Sequence, residues 1–514
     1  MVADAPRDPA GTAWPRRVLV VCWWLGPEVE TDVRQLAAHL DPARHALDVV
    51  VCMRREGAPA AWPLTGVRVD TIPYTLSFED TIAYLCSVIP AYDVVVPCQD
   101  PPDLYAALEL LAHRPPLVAP SSAESGSRWA AVVAALAVEQ PRAPAPGVFA
   151  SFVQGGFECS SHRRHVDRQR VDVIAATQHD ARAAEDYRLL ARHGILTVRD
   201  GARWHLIEGS GNGRRDFGSL DRQLDAAAQT GTQVIWDLVH YGWPDDVDVW
   251  GPGFVPRLVE YAVATASRIA NRTPGPHWFA PVNEISFFSW GGGEVAYLNP
   301  FVRRRGTELK VQLVRAAIGA ARAVREVVPD ARFVQPEPLV HVAATSRDDA
   351  EAAFWQRQAQ FEAWDMLSGR AWPQLGGSSD LLDVVGVNYY HDNQWLHGGP
   401  HLQPGDPRRR PFADLLAEVY GRYGRPVLVS ETGIEGDVRA AWFTDIWEQV
   451  ALARSRGVPV EGICLYPVLG HPGWDDERYC PNGLLELLPT GDRQVHEPLA
   501  DAVGRLTSAS SRGR

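Results

Sequence analysis

The sequence lacks lysine almost completely, and it lacks any excess of positive charge. Of its 50 basic residues, Lys310 is the one lysine and the others are arginine. This bias is typical of a codon preference and does not indicate a binding device. The formal net charge of -13 argues against a nucleic-acid partner, which would require a basic face.

Paired cysteines and metal-ligand spacings are also absent. The count of cysteines is odd at seven, and no two are spaced C-x-x-C. We therefore expect buried free thiols in a reducing compartment. The cysteines are Cys22, Cys52, Cys86, Cys98, Cys159, Cys464 and Cys480.

No segment has the pattern of a signal peptide or a membrane span. Met1 to Pro15 contains acidic residues and prolines without an apolar core. No apolar run reaches the roughly 18 residues that a membrane-spanning helix needs. We expect a cytoplasmic protein without a membrane partner, and the composition is compatible with a homo-oligomer.

The length of 514 residues predicts two domains. In residues 1–140, apolar strand-like runs alternate with helical stretches, which predicts a smaller Rossmann-like α/β domain with a parallel sheet. Its first strand, Arg17–Cys22, is followed by a single glycine and by no G-x-G-x-x-G loop, so no dinucleotide site is expected. Three prolines in Gln140–Gly147 indicate a linker. The other expected strands are Ala46–Met53, Gly66–Thr71, Tyr92–Pro97 and Pro116–Ala119, and the helices are Glu28–Leu40 and Asp103–Ala112.

The second domain, residues 148–514, repeats a strand and a helix eight times. This pattern predicts a (β/α)8 TIM barrel, with a doubly wound sheet as the structural alternative. The expected strands are Phe149–Phe157, Ile195–Arg199, Thr232–His240, His277–Asn283, Arg332–Gln335, Leu382–Tyr390, Pro426–Glu431 and Gly462–Pro467. The expected helices are Asp180–His193, Ser219–Gln229, Val255–Asn271, Glu308–Val328, Asp348–Leu367, Phe412–Arg422 and Val438–Arg456.

Polar residues stand at the carboxyl ends of these apolar strands, where parallel α/β barrels build active sites. Two of the strands end in glutamates, Glu284 and Glu431. Hydrolysis of a glycosidic bond uses one carboxylic acid and one carboxylate across a single bond, so this pair favours that chemistry. The other strand ends carry Glu158, Arg199, His240, Glu337, Asn388, Tyr389, Tyr390 and Tyr466.

Five motifs in order resemble glycoside hydrolase family 1, the β-glucosidase family of clan A, over roughly residues 150–490. They are Gly194-Ile-Leu-Thr-Val-Arg199-Asp-Gly-Ala-Arg-Trp204, His240-Tyr-Gly-Trp-Pro244, Asn283-Glu284, Gly386-Val-Asn388-Tyr-Tyr390 and Glu431-Thr-Gly433. The resemblance implies that Glu284 is the acid/base and Glu431 the nucleophile of a retaining glycosidase that needs no cofactor and no metal. Residues 1–140 resemble, in the order of their elements, the N-terminal half of a two-domain glycosyltransferase.

The resemblance also implies a substrate-binding set, with two departures from the family. Glu158 stands where the family has a glutamine, and the strand-eight motif is replaced by a segment from Tyr466 to Trp474. We expect Arg199 to hold Glu431 ionised, with Tyr390 as a second donor to it. The expected substrate-binding residues are Glu158, Arg199, His240, Asn283, Asn388, Tyr390, Tyr466 and Trp474.

Other residues have both a functional and a structural interpretation. The indoles of Trp204, Trp243 and Trp290 could stack on a sugar or belong to the core, and Glu337 is a weaker site candidate. The first domain is expected to be an accessory one, although Trp23, Trp24, Gln99 and Asp100 could add to a sugar subsite. A metal site at His162, His165, Asp245, Asp246 and Asp248 is discounted for want of ligand spacing.

The predicted function is a retaining hydrolase of a small β-linked glycoside. One alternative is a transglycosidase or glycosyltransferase that passes the same covalent intermediate to an alcohol. Another is a non-catalytic carbohydrate-binding protein.

Overall fold

The computed structural model describes residues 15–52, 66–72, 76–120, 129–138, 147–209, 214–346, 348–476 and 478–512. The N-terminal part has a parallel sheet of four strands, β1 Arg16–Cys22, β2 His45–Val51, β3 Arg68–Thr71 and β4 Val94–Cys98, in the order β3-β2-β1-β4. Alternate residues of β1 point to opposite faces, so Val18 and Val20 join one apolar cluster and Leu19 and Val21 another. The helices of this part are Pro27–His39, Phe78–Val88, Pro102–Leu110 and Ala130–Ala137.

The C-terminal part is a closed barrel of eight parallel strands, as the sequence predicts. Neighbouring strands follow the chain order, and the last strand pairs with the first, with Ile463 opposite Val153. The strands are β5 Val153–Gly156, β6 Thr197–Gly201, β7 Gln233–Asp237, β8 Trp278–Ala280, β9 Arg332–Pro338, β10 Val384–Asn388, β11 Val427–Thr432 and β12 Val460–Leu465. The longer helices are His179–Arg192, Gly218–Thr230, Phe254–Ala270, Gly306–Val327, Ala350–Gln358, Glu362–Leu367, Phe412–Tyr423, Arg439–Ser455 and Glu497–Arg512.

The observed elements differ from the predicted ones in a few places. The predicted helix Asp348–Leu367 tightens into a 3-10 turn at Ala359–Phe361, where the side chain of Gln360 donates to the carbonyl of Arg357. The predicted strand Pro116–Ala119 is reduced to one bridge at Leu117, because proline has no amide to donate. The predicted linker, apart from Gly147, lies outside the described residues, as does Met53.

The two parts are in direct contact along the helix Phe412–Tyr423. Arg17 Nη1 lies 2.6 Å from Asp414 Oδ2, and the amide of Ala112 donates to the carbonyl of Gly421 at 2.8 Å. A Cβ at Gly421 would lie 2.4 Å from Pro90, so only glycine allows this close approach. Over the described ranges, we find no helix with the length and apolar character of a membrane span.

Candidate active site

A cavity of about 890 Å³ opens at the carboxyl ends of the barrel strands, and both Glu284 and Glu431 line it. Its walls are largely aromatic and apolar, which suits the ring faces of a sugar and its substituent. The apolar and aromatic lining residues are Tyr241, Phe287, Trp290, Pro338, Val340, Ala359, Tyr390, Trp395 and Trp474.

Glu284 is held by two donors at the end of the β8 segment. Asn388 Nδ2 donates to its Oε1 at 2.9 Å, and the hydroxyl of Tyr241 donates to its Oε2. The backbone of Glu284 is left-handed, with φ of 44°, and that of Tyr241 has φ of 64°. Strained conformations of non-glycine residues persist where the surrounding structure enforces them, and they cluster at functional sites.

Glu431 is held differently, by a cation and a phenol. Arg199 Nη1 donates to its Oε1 at 2.7 Å, and the Tyr390 hydroxyl donates to its Oε2 at 2.8 Å. Arg199 is fully buried, and its guanidinium also pairs with Asp237 at 2.8 Å. The positive charge is therefore fixed beside Glu431.

One hydrogen-bonded network connects the two carboxyl groups. Arg199 donates to Asn283 Oδ1 at 2.6 Å, and Asn283 Nδ2 donates to the Tyr241 hydroxyl at 3.1 Å. The Tyr241 hydroxyl in turn donates to Glu284, and Arg199 donates to Glu431. Because every member is buried and partnered, the network fixes the relative placement of the two carboxyl groups.

The two carboxyl groups have unlike electrostatic environments. Burial, and next the charge of Glu431, raise the pKa of Glu284 to about 8, against the hydrogen bonds from Tyr241 and Asn388. Burial also raises the pKa of Glu431, but Arg199, His240 and the Tyr390 hydroxyl oppose that rise. Near neutral pH the proton therefore belongs on Glu284 and the negative charge on Glu431.

His240 and Glu158 form a second polar group in the cavity wall. His240 Nδ1 lies 3.1 Å from Asp237 Oδ2, and Asn283 Nδ2 lies 3.1 Å from its Nε2. In the neutral imidazole, Nδ1 thus donates and Nε2 accepts. Glu158 Oε1 lies 3.8 Å from Nε2 and accepts from the amide of Ser160 at 2.9 Å. Although burial opposes it, the charges that His240 and His471 carry when protonated, together with the Ser160 donors, hold the pKa of Glu158 below its ordinary value.

The predicted substrate-binding residues divide into two groups. Glu158, His240, Tyr390 and Trp474 line the cavity with the two glutamates. The other four lie behind the wall and hold other side chains; they are Arg199, Asn283, Asn388 and Tyr466. Tyr466 stacks parallel to the ring of His240, with 6.1 Å between the ring centroids.

The remaining candidates are placed as follows. Trp290 lines the cavity and is 51% exposed. Trp204 is a core residue stacked on Tyr261, and Trp243 packs on Phe254 and Phe288 outside this cavity.

Glu337 does not line the cavity but anchors the backbone next to Glu284. It accepts from the amides of Ile285 and Ser286, both at 2.8 Å, and burial raises its pKa to about 7.

In the N-terminal part, the amide of Trp24 donates to the side chain of Gln99 at 3.1 Å. Trp23, Trp24, Gln99 and Asp100 are not among the residues that line the cavity.

Several residues of the site escaped the sequence analysis, and three of them form polar contacts there. Tyr241 and Asp237 hold Glu284 and Arg199, and each is a neighbour in sequence of the predicted His240. Lys310 lines the cavity and pairs with Glu362, with 2.5 Å between Nζ and Oε2. The sequence shows that Lys310 is the one lysine of the chain, but it does not predict that this residue lines the cavity.

One group of potential metal ligands lies beside the cavity. Among the described residues, Cys159, Asp237 and His240 offer ligand atoms within 4.8 Å of one another. Asp237 already forms an ion pair with Arg199, so this group acts as a hydrogen-bonded support of the site. Asp245 and Asp246 pair with arginines at the surface, namely Arg163, Arg170 and Arg257.

The fold and the site define a (β/α)8 barrel with two buried, differently held glutamates in one cavity. No protein-family model matches the chain, and no curated protein is significantly similar to it in sequence. Solved structures do share its fold.

A family 1 β-glucosidase from Thermotoga maritima aligns with a TM-score of 0.59 at 16% identity, over 70% of this chain and 97% of that one. The β-glucosidase of that organism in complex with glucoimidazole aligns with a TM-score of 0.59 at 16% identity, over 73% of this chain and 100% of that one. Its complex with castanospermine gives 0.56 at 18% identity, over 66% and 88% of the two chains. These similarities establish the barrel fold.

Proposed function

We propose that the protein is a retaining glycoside hydrolase that acts on a small β-linked glycoside. The observation that carries the proposal is the unequal environment of two glutamates in one cavity: Glu431 is bound by Arg199, whereas Glu284 meets only neutral donors. Retaining hydrolysis requires such a pair, with the carboxyl groups about 5–5.5 Å apart. The β-glucosidases that share the fold are consistent with this reaction class.

Each step of the reaction then has a residue to perform it. Glu431 attacks the anomeric carbon, while Glu284 gives its proton to the departing glycosidic oxygen. In the second step Glu284 takes a proton from water, and the water oxygen displaces Glu431 from the sugar. Two displacements return the anomeric centre to its original configuration. Arg199 and Tyr390 keep Glu431 ionised and oriented before the attack.

The support behind the cavity wall accounts for the placement of both groups. Asn388 donates to Glu284 and accepts from the Ser430 hydroxyl at 2.7 Å, which links the strands of the two glutamates. Glu337 fixes the amides that follow Glu284. Both side chains are positioning residues, because neither lines the cavity.

Covalent trapping tests the proposal directly. We expect an activated 2-deoxy-2-fluoro glycoside to inactivate the protein and to add the mass of one glycosyl group to the peptide that contains Glu431. The Glu431→Gln variant should lose activity on aryl glycosides by several orders of magnitude. Glu435→Gln is the matched control, because Glu435 lies on the following loop and pairs with Arg478 at the surface. A label on another residue, or full activity of Glu431→Gln, would refute the proposed mechanism.

Transfer of the glycosyl group to an alcohol is the second candidate function, and the aromatic wall of the cavity supports it. The wall beyond the glutamates presents Phe287, Trp290 and Trp395, a surface able to hold an apolar acceptor beside the glycosyl-enzyme. Product analysis at increasing acceptor concentration separates the two reactions. Glycoside formation that outpaces sugar release at low acceptor concentration would identify a transferase.

A further inference from the structure

A second cavity, of about 240 Å³, lies between the N-terminal sheet and the barrel. We call it the interdomain crevice. Five arginines line it: Arg17, Arg68, Arg357, Arg408 and Arg410. Tyr84 and His341 also line it. None of these residues belongs to the candidate active site.

The carboxylates around the crevice do not match these arginines one to one. Three of the arginines have carboxylates of their own, which are Asp48 and Asp414 for Arg17, Asp70 for Arg68 and Asp406 for Arg408. Arg357 and Arg410 instead share Glu418, with 2.9 Å between Arg410 Nη1 and Glu418 Oε2. Asp414 is itself shared, because Arg456 pairs with it at 2.7 Å. With Arg456 included, six guanidinium groups meet five carboxylates around the crevice, so one positive charge is in excess.

Arg357 is the least compensated of the five. It is 5% exposed, and within the described part of the chain no group accepts a hydrogen bond from its Nε. A buried donor without an acceptor is costly, and a buried cation that shares its counter-ion is more so. Burial lowers the pKa of Arg357 to about 10, and Arg410 acts in the same direction against Glu418.

His341 adds a second unpartnered atom on the same wall. Its Nε2 donates to the carbonyl of Arg408 at 3.1 Å, and its Nδ1 has no partner among the described residues. Burial, together with Arg357 and Arg410, holds the pKa of His341 well below its ordinary value. An additional negative charge in the crevice would compensate Arg357 directly, and it would raise the pKa of His341 so that a protonated Nδ1 donates to the anion.

We propose that the interdomain crevice is a binding site for a phosphate-type oxyanion, either inorganic phosphate or a small phosphate monoester. Guanidinium groups match tetrahedral oxyanions because their donors lie in a planar fork. The cavity is smaller than the roughly 300–1,000 Å³ of typical organic-ligand pockets, which favours a small anion. The proposal is independent of the proposed hydrolase activity.

The crevice is close to the candidate active site without being part of it. A two-stranded parallel sheet, His341–Ala343 with Gln394–Leu396, lies between the two cavities. Val342 lines the crevice, whereas Trp395 lines the large cavity. The proposed anion would therefore contact one strand of a sheet whose partner strand forms the active-site wall.

Isothermal titration calorimetry at constant ionic strength tests this proposal with the full-length protein. We expect inorganic phosphate or glucose 6-phosphate to bind with one-to-one stoichiometry, while chloride at the same ionic strength does not. Tighter binding of inorganic phosphate would identify the free anion as the ligand, and tighter binding of glucose 6-phosphate would identify a monoester. Unphosphorylated glucose should not displace inorganic phosphate, which would place the anion outside the candidate active site.

Two substitutions with opposite expected effects on the affinity for the anion locate its binding site. Arg357→Met should weaken binding by roughly tenfold or more, because it removes a guanidinium partner. Glu418→Gln should strengthen binding, because it removes the carboxylate that competes for Arg357 and Arg410. Arg315→Met is the matched control for loss of charge, since Arg315 is exposed and its Nη1 donates to Gln312.

The thermal unfolding midpoint gives a second readout for variants of low stability. Phosphate should raise the midpoint of the unmodified protein and of Arg315→Met, and raise that of Glu418→Gln further. Failure of both anions to bind better than chloride, or unchanged binding in Arg357→Met, would overturn the proposal.

Discussion

The pKa of Glu284 should fall when the charge of Glu431 is removed. The charge of Glu431 is one of the two main causes that raise the pKa of Glu284 to about 8. Formation of a glycosyl-enzyme would convert Glu431 to a neutral ester, and Glu431→Gln makes a similar change without a sugar. In either case Glu284 should become a stronger acid and so lose its proton.

The size of this fall follows from Coulomb's law. At the separation of about 5.5 Å that retaining hydrolysis requires, and with an effective dielectric constant of about 20, two unit charges repel by about 3 kcal/mol, which corresponds to about two pKa units. Glu284 would then be protonated in the free enzyme at neutral pH and largely ionised in the intermediate. That change suits first a general acid and then a general base.

Carbon NMR of protein labelled at the glutamate carboxyl carbons measures this pKa directly. The signal of Glu284 is assigned by its loss in Glu284→Gln, and it is titrated in the free protein, in Glu431→Gln and in the fluorosugar-trapped form. In the free protein, kcat/KM should decline as the pH rises through about 8, since the acid must then be protonated. A pKa that changes by less than about half a unit in Glu431→Gln would refute the coupling.

Three further outcomes are expected. The pKa of Glu284 in the folded protein lies above its ordinary value of 4.5, so the protonated carboxyl stabilises the fold fully below pH 4.5, and this stabilisation is lost as the pH rises to about 8. Glu284→Gln should therefore be more stable than the unmodified protein at pH 8, by about 4 kcal/mol in urea denaturation. Equal stability of the two proteins would contradict this. Arg199→Met should cost about 3–5 kcal/mol of stability, because it leaves Asp237 buried without its cation; a much smaller loss would show that the pair is dispensable. Trp290→Ala should raise KM for aryl glycosides by roughly tenfold with kcat little changed, because an exposed indole binds ground and transition states alike, whereas an equal fall in kcat would contradict a pure binding role.

The sequence was sufficient to predict the barrel and its two glutamates. A short apolar run that ends at a carboxylate can be recognised in the sequence alone, and both Glu284 and Glu431 lie at the carboxyl ends of barrel strands, as that pattern predicts. Arg199 and Tyr390 contact Glu431 as expected, because all the parallel strands of a closed barrel carry their carboxyl ends to one rim. Their catalytic roles stay predictions.

The partners of Glu284 could not be predicted in the same way. Tyr241 reaches Glu284 from a left-handed backbone position, which no sequence pattern specifies. Asn388 was expected to meet the substrate, but both ends of its amide are used by Glu284 and Ser430. Trp204 matches a family motif and yet stacks on Tyr261 in the core. Which partner a side chain chooses depends on packing between elements distant in the chain.

The single lysine has a practical consequence. Lys310 is a buried residue of the helix Gly306–Val327, so a protease specific for lysine has one target in the whole chain, and that target is protected in the native state. Cleavage should occur only when this helix opens, and its rate then reports the population of opened molecules. The protein thus contains a built-in proteolytic reporter of barrel opening, which needs no engineered site.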